Sequence, residues 1–286
     1  MRGSTDTCRV CGHPSGFVFA LSLLGAPVGY YECNACGYLQ TEAPYWLEKA
    51  YQYPINDVDT GIMARNLVNA GRVTLTLLAY GLLDGRVIDH AGGFGILVRL
   101  LRDAGVDARW RDKYCENILA RGFEADAETF DLLTAFEVLE HLVDPVREIG
   151  EMLAVAPIVL VSTELVPTPN TPSPDWWYLG PEHGQHIGFF RSATLNLIAA
   201  KLGCTFASDG HSIHVFSRRR VPLLWKPLMG ARLIYRLVKR FKLRSKIQAD
   251  FDFLRTHRIA HASPETNGKG DAIIELAQPS IKKLND

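Results

Sequence analysis

The sequence lacks net charge: 31 Lys and Arg balance 31 Asp and Glu over 286 residues, so no overall field draws the chain toward a polyanion. It also lacks any apolar run near the ~20 residues that a membrane-spanning helix needs. The N-terminus carries no apolar h-region of a secretory signal, which predicts a cytoplasmic protein. Acid is missing from one stretch altogether. Residues 218–246 hold eleven Lys and Arg and no Asp or Glu, so the remainder carries −11 against a total of zero. Cysteine is sparse, six in all. What is present, 47% hydrophobic and 22% charged residues, is the composition of a globular chain long enough for one α/β domain with attachments.

Four of the six cysteines form two C-x-x-C pairs, Cys8 with Cys11 and Cys33 with Cys36, each followed directly by glycine, at Gly12 and Gly37. In a reducing compartment such pairs argue for metal over disulfides. Each turn can aim two thiolates at one ion, and four thiolates close a tetrahedral shell, so the expected occupant is structural zinc. A redox dithiol pair or unliganded cysteines are the alternatives. His13 reads as a solvent-facing neighbour of the first pair.

The centre of the sequence is 87–95, a short apolar strand ending in Asp89 and a glycine turn, Ala91-Gly92-Gly93-Phe94-Gly95, that opens a helix over 96–104. Glycine lets backbone pass close to a ligand, and free N–H groups at a helix start attract its polar groups. A nucleotide-like cofactor is the natural occupant. The dinucleotide fingerprint G-x-G-x-x-G fails at its third position, where Val98 stands. A second strand, 108–111, ends at Asp112, where an acid of such folds accepts hydrogen bonds from ribose hydroxyls. Residues 122–126 read as a short third strand that brings Asp126 or Glu124 to the adenine side. Before the turn, 62–83 has helical spacing and stops at Asp84-Gly85, and the aromatic 45–54 is a connection packing over the next domain.

The run Phe130-Asp131, Phe136-Glu137-Val138-Leu139-Glu140-His141 and Asp144-Pro145 resembles a motif of class I S-adenosylmethionine (SAM) methyltransferases. The likeness extends from the glycine turn, where Ala91 occupies the place of that family's first glycine, to a fifth strand at 158–163. It implies an α/β, Rossmann-like methyltransferase sheet, with a small N-terminal zinc-binding module and a C-terminal basic helical extension. It further implies SAM as cofactor, held by Asp89, Ala91, Gly93, Gly95, Asp112, Asp126 and Glu137, with Glu140 and His141 in the loop after strand four. Helix capping and support of neighbouring groups are the alternative roles for those last three acidic and imidazole side chains.

Residues 166–174 hold four prolines and form a stiff crossing. It delivers Trp176, Trp177, Tyr178, His183, Gln185, His186, Phe189 and Phe190, a density that suggests the acceptor pocket, or else a lid packed on its own aromatics. The segment 183–191 resembles sugar methyltransferases of deoxysugar biosynthesis that carry an N-terminal four-cysteine zinc region, and more closely methyltransferases encoded near glycan assembly genes. The resemblance implies a saccharide or nucleotide- or lipid-linked glycan acceptor, with His186 as general base and His183 and Tyr178 positioning the acceptor. The chain departs from the sugar-enzyme motif at His183, Gln185 and Arg191, and it has no large second α/β domain of the C-methylating members.

A helix over 192–202, capped by Ser192 and stopped at Gly203, precedes a hairpin strand over 209–217 whose His211 and His214 read as exposed edge residues. From Pro222 a basic amphipathic helix carries Gly230, Ile234, Leu237, Val238 and Phe241 on one face. It can lie on an anionic membrane, dock on its own domain or bind a phosphorylated acceptor. The expected divisions are 1–44, 45–85, 86–220 and 221–286, and residues after His261 are expected to be poorly ordered. Transfer to oxygen or to carbon both stay open, and the rival functions are a non-catalytic partner-binding protein and a methyltransferase acting on a small-molecule natural product. Methylation of nucleic acid is disfavoured by the lack of basic clustering near the glycine turn and of an N-P-P-aromatic motif.

Overall fold

The computed structural model of the chain describes residues 5–52, 59–126, 129–167 and 171–261. Tyr53 and Pro54 of the aromatic connection, Pro169 of the proline crossing, and the tail after His261 lie outside these residues. Two compact units divide at 248 and 249.

In chain order the elements are β1 (Thr5–Thr7), β2 (Pro14–Leu23), β3 (Ala26–Cys33), β4 (Leu39–Thr41), α1 (Leu47–Ala50), α2 (Ile62–Tyr80), β5 (Arg86–His90), α3 (Ile96–Ala104), β6 (Asp107–Arg111), β7 (Leu132–Phe136), α4 (Pro145–Val155), β8 (Ile158–Ser162), β9 (Gly188–Phe189), α5 (Ser192–Lys201), β10 (Thr205–Ser208), β11 (Ile213–Ser217), α6 (Trp225–Leu228), α7 (Arg232–Phe241) and α8 (Ile247–His261). Most of α8 belongs to the second unit.

The central sheet runs β10-β11-β8-β7-β5-β6. Strands β6, β5, β7 and β8 are parallel, and β11 and β10 close the edge antiparallel. Residues such as Val87, Ile88, Leu132 and Leu133 are fully buried, as the continuous apolar runs of a doubly covered parallel sheet require. One face packs on α2, α3 and α6 through Val73, Leu77, Leu97, Leu101 and Trp225. The other packs on α4 and α5 through Ile149, Leu153, Leu195 and Ile198. The chain leaves β5 for β6 on one side and β7 on the other, so a topological switch point, with its crevice outside the strand C-termini, lies at β5.

A second, antiparallel sheet has the order β1-β2-β3-β4-β9. Its last member comes from the segment after the proline crossing: Leu39 pairs with Phe189 and Gln40 with Gly188. The four-cysteine segment thus shares its sheet with the His186 segment.

Several expectations need correction. Helix α2 ends at Tyr80, because Gly81 takes φ +69° and Leu82 N–H donates to the Leu77 carbonyl at 2.8 Å, one turn before Asp84-Gly85. Residues 122–126 make a single bridge, Trp110 to Glu124, and no strand. Ser192 is the first residue of α5 and not its cap. The N–H of Arg191 donates instead to Thr194 Oγ1, whose hydroxyl donates to the Cys36 carbonyl at 2.7 Å. The stretch 209–217 is turn and then strand: Asp209 Oδ1 accepts from the N–H groups of His211, Ser212 and Ile213 and fixes the bend between β10 and β11. His211 is exposed as expected, but His214 is buried because β11 lies inside the sheet. On α7 only Val238 of the foreseen apolar face is buried.

Candidate active site

The glycine turn connects β5 to α3 above the switch point. Ala91 sits at φ +58°, Gly93 at +53° and Gly95 at +84°, so the left-handed backbone is kept even where alanine replaces glycine. Beneath it Asp89 is buried and accepts from Thr134 Oγ1 at 2.7 Å. Burial raises its carboxyl to about 7, against the pull of that hydrogen bond. Gly93 N–H donates to Asp112 Oδ2 at 2.9 Å, and Trp110 Nε1 donates to the Gly93 carbonyl at 2.8 Å. A Cβ on Gly92 would stand 2.8 Å from the Trp110 ring, so glycine is needed for this close approach. Asp112 Oδ1 accepts from the N–H groups of Tyr114 and Cys115, which fixes the carboxylate at the end of β6. At the end of β7, Glu137 takes φ +54° and its carboxylate accepts from the Ser162 hydroxyl. Two of the three non-glycine residues with positive φ among the described residues therefore flank one crevice.

Asp89, Gly93, Gly95, Asp112 and Glu137 thus stand on the strand ends and turn around β5 and β7. Asp126 is exposed, beyond the Trp110–Glu124 bridge. Glu124 is spent locally, accepting from Asn117 Nδ2 at 2.7 Å and from Gly122 N–H at 2.9 Å.

Next to this crevice the structure gathers the histidines. Leu139–His141 is a short 3-10 turn after β7. Its Glu140 carbonyl accepts from Ile187 N–H at 2.8 Å, which sets His186 beside Glu140 and His141. Ile187 is in turn held from the N-terminal sheet, by Arg9 and by Thr41 N–H at 3.0 Å. The rings of His141 and His186 are 5.0 Å apart, those of His183 and His186 4.6 Å, and those of Tyr178 and His186 4.7 Å. His186 Nδ1 lies 2.6 Å from the Tyr178 carbonyl, which can only accept, so Nδ1 carries the proton and Nε2 keeps its lone pair. Burial lowers the pKa of His186 well below its ordinary value and that of His141 to about 4. Glu140 is wholly buried; the Tyr178 and Thr163 hydroxyls approach its carboxylate, but neither oxygen has a partner at ordinary hydrogen-bond geometry among the described residues. Burial, with Glu137 nearby, raises its pKa. Tyr178 is buried with its hydroxyl 3.2 Å from Thr163 Oγ1, whereas Trp177 is exposed.

The aromatic connection roofs this cluster. Trp46 Nε1 donates to the Gly184 carbonyl at 2.8 Å, Gln185 Nε2 donates to the Ala50 carbonyl at 3.0 Å, and Tyr51 stacks on Tyr114 and reaches His141. The sequence placed Trp46 and Tyr51 in a connection packed over the next domain without assigning them to the site, and Arg9 and Trp110 were missed. Of the two missed, only Trp110 gave a local signal, standing two residues before Asp112.

The sulfurs of Cys8, Cys11, Cys33 and Cys36 lie within 4.8 Å of one another, with Cys8–Cys36 at 3.6 Å and Cys11–Cys33 at 3.4 Å. These distances exceed the ~2.05 Å of a disulfide and approach the edge, about 3.8 Å, of a tetrahedron of thiolates around zinc. Gly12 and Gly37 take positive φ after each pair, and the Cys36 thiol beside Cys8 lowers the Cys8 pKa to about 5. His13 is exposed and outside the set. Arg191, which departs from the sugar-enzyme motif, reaches Glu32 beside Cys33 at 2.7 Å.

Residues 63–208 match the family described as "Methyltransferase domain". No curated protein matches the chain. Solved structures with similarity include CalO1, a methyltransferase in calicheamicin biosynthesis, in its SAH-bound form (18% identity, 52% of this chain and 54% of that one, TM-score 0.38). The matched part therefore spans about half of CalO1. Others are magnesium protoporphyrin IX methyltransferase from Synechocystis PCC 6803 with bound SAH (16%, 60% and 94%, 0.38) and 1,6-didemethyltoxoflavin-N1-methyltransferase from Burkholderia thailandensis (15%, 70% and 97%, 0.43). Likenesses this distant carry no argument about acceptor or site.

Proposed function

The chain belongs to the methyltransferase domain family, and on that premise we propose that it transfers the methyl group of SAM to a hydroxyl of a saccharide or nucleotide- or lipid-linked glycan. Bound over the glycine turn, SAM supplies a methyl carbon activated by its sulfonium. The residues to hold it are Asp89, Ala91, Gly93, Gly95, Asp112, Asp126 and Glu137. The turn fits such a group: its backbone surfaces at exposed Ala91, and the first N–H groups of α3 point out of the helix start. Asp112, held from both sides by backbone N–H groups, is oriented to accept from ribose hydroxyls.

The observation that carries the acceptor side is the hydrogen bond from His186 Nδ1 to the Tyr178 carbonyl, which leaves Nε2 as a lone pair beside the crevice. In-line methyl transfer depends mainly on aligning the nucleophile and drawing off its proton. His186 Nε2 activates the acceptor hydroxyl, His183 orients the acceptor, and Tyr178 orients His186 through its carbonyl. Trp46, Tyr51 and Trp176 shield the space from water. Support for a saccharide comes from the resemblance of 183–191 to sugar methyltransferases; support for an oxygen acceptor comes from the imidazole. Four cysteines hold a structural zinc ion, for which the sulfur spacing is suited.

His186→Ala is expected to lower turnover by roughly two to four orders of magnitude while calorimetric SAM binding is unchanged. Near-normal turnover would remove His186 from this role. Mass spectrometry of candidate glycans after incubation with labelled SAM tests the acceptor, and transfer to none of them would remove the saccharide reading.

A further inference from the structure

We propose that Glu140, His141 and His186 bind a divalent transition-metal ion at the acceptor side of the crevice, separate from the four cysteines. The inference rests on the reading of His186 as the residue that activates the acceptor; with Nε2 on an ion, activation runs through the ion in place of direct proton removal at Nε2.

One ligand atom from each of the three residues lies within 4.8 Å of the others, and Glu140 Oε1 is 3.8 Å from His141 Nε2. Donors at ~2.1 Å from one ion sit about 3 Å apart when cis, so modest side-chain rotation closes the set. Glu140 gives the independent indication. It is wholly buried; the Tyr178 and Thr163 hydroxyls approach its carboxylate, yet neither oxygen has a partner at ordinary hydrogen-bond geometry among the described residues. A buried carboxyl left in that state is costly. A dication between it and two imidazoles offsets the cost. His186 shows the arrangement a metal-binding histidine adopts: one ring nitrogen donates to a backbone carbonyl, here Tyr178, and the other is left for the ion.

Two imidazoles and one carboxylate suit borderline ions such as Mn²⁺, Fe²⁺, Co²⁺ or Zn²⁺ better than Mg²⁺ or Ca²⁺. Three protein donors leave coordination positions open to water or to an acceptor hydroxyl, whose proton the ion makes more acidic. His141 and His186 are only partly buried, so an ion and an acceptor can approach from their side.

The test uses the full chain with zinc supplied, because Mn²⁺ does not displace zinc from four thiolates. Electron paramagnetic resonance of free Mn²⁺ during titration is expected to show saturable binding of one ion per chain. Glu140→Gln, which preserves shape, and His141→Ala should each weaken it at least tenfold while zinc content and SAM binding stay unchanged. No saturable Mn²⁺ binding in the wild type, or binding that survives both substitutions, overturns the proposal. His186→Ala separates the two readings: lost turnover in an enzyme whose wild type binds no Mn²⁺ leaves direct proton removal standing and the metal site fallen, whereas retained turnover removes His186 from both.

Discussion

Asp89 is where residue-level physics makes the clearest prediction. Its carboxyl holds a proton up to about pH 7 in the folded chain, whereas the unfolded side chain releases it near pH 4. Folding stability should therefore fall as pH rises between those values and stay level on either side. Asp89→Asn can still accept from Thr134 and cannot charge, so its stability should lack that decline. Denaturant unfolding at pH 4 and pH 8 is expected to show similar stability at the lower pH and an advantage for the variant at the higher, up to roughly 4 kcal/mol. Parallel pH profiles would show that Asp89 is charged when folded. Ala91 yields a second prediction, since a side chain at φ +58° carries left-handed strain. Ala91→Gly should gain roughly 0.5–1 kcal/mol, read from the same unfolding curves. Asp89, the glycine turn and Glu137 were legible in the sequence because each belongs to a short contiguous motif. That Ala91 and Glu137 would both be strained was not, because φ follows from what surrounds a residue.

At the scale of elements, local signals worked and long-range ones did not. The apolar spacing and flanking glycines of Ile96–Ala104 fix that helix to the residue, and the all-apolar Ile158–Ser162 reads directly as a buried strand. The pairing of Leu39 with Phe189 joins residues 150 positions apart and leaves no periodicity to read. Nor could spacing foretell that Asp209 would bend the chain with its side chain. The β4–β9 pairing ties the cysteine cluster to the segment of His186, the proposed catalytic residue. Cys33 ends β3, β4 pairs with β3, and Thr41 at the end of β4 holds Ile187, the neighbour of His186. On the proposed zinc site, Cys33→Ser should release the metal and, through that path, lower turnover at least tenfold, although no sulfur lies among the proposed acceptor residues. Zinc analysis together with methyl-transfer rates checks this, and full turnover in a zinc-depleted variant would disconnect the two.

Across the whole molecule, charge is balanced in total and uneven in place. No helix among the described residues is long and apolar enough to cross a membrane. Yet α7 has two apolar sides. Tyr235 and Val238 seat against the core, with Gly71 of α2 close to the Tyr235 ring, while Leu233 and Phe241 are 68% and 70% exposed among Arg232, Arg236, Lys239 and Arg240. The sequence showed the basic apolar helix but not which apolar residues would dock, because that depends on the rotation α7 adopts against α2. Such an exposed stripe suits an anionic bilayer, with roughly 1 kcal/mol from each basic residue near the surface. The protein is expected to sediment with phosphatidylserine vesicles at low salt, to release as salt rises, and to lose binding in Leu233→Glu/Phe241→Glu. Equal binding to neutral vesicles would exclude the electrostatic part.

The two-residue strand Gly188–Phe189 also bears on how relatives of this enzyme could be recombined. A hybrid that takes its first 44 residues from another protein would replace one side of the ladder between Leu39–Gln40 and Gly188–Phe189 while keeping the other. Transplanted acceptor preference should therefore travel only when both stretches are exchanged as a pair.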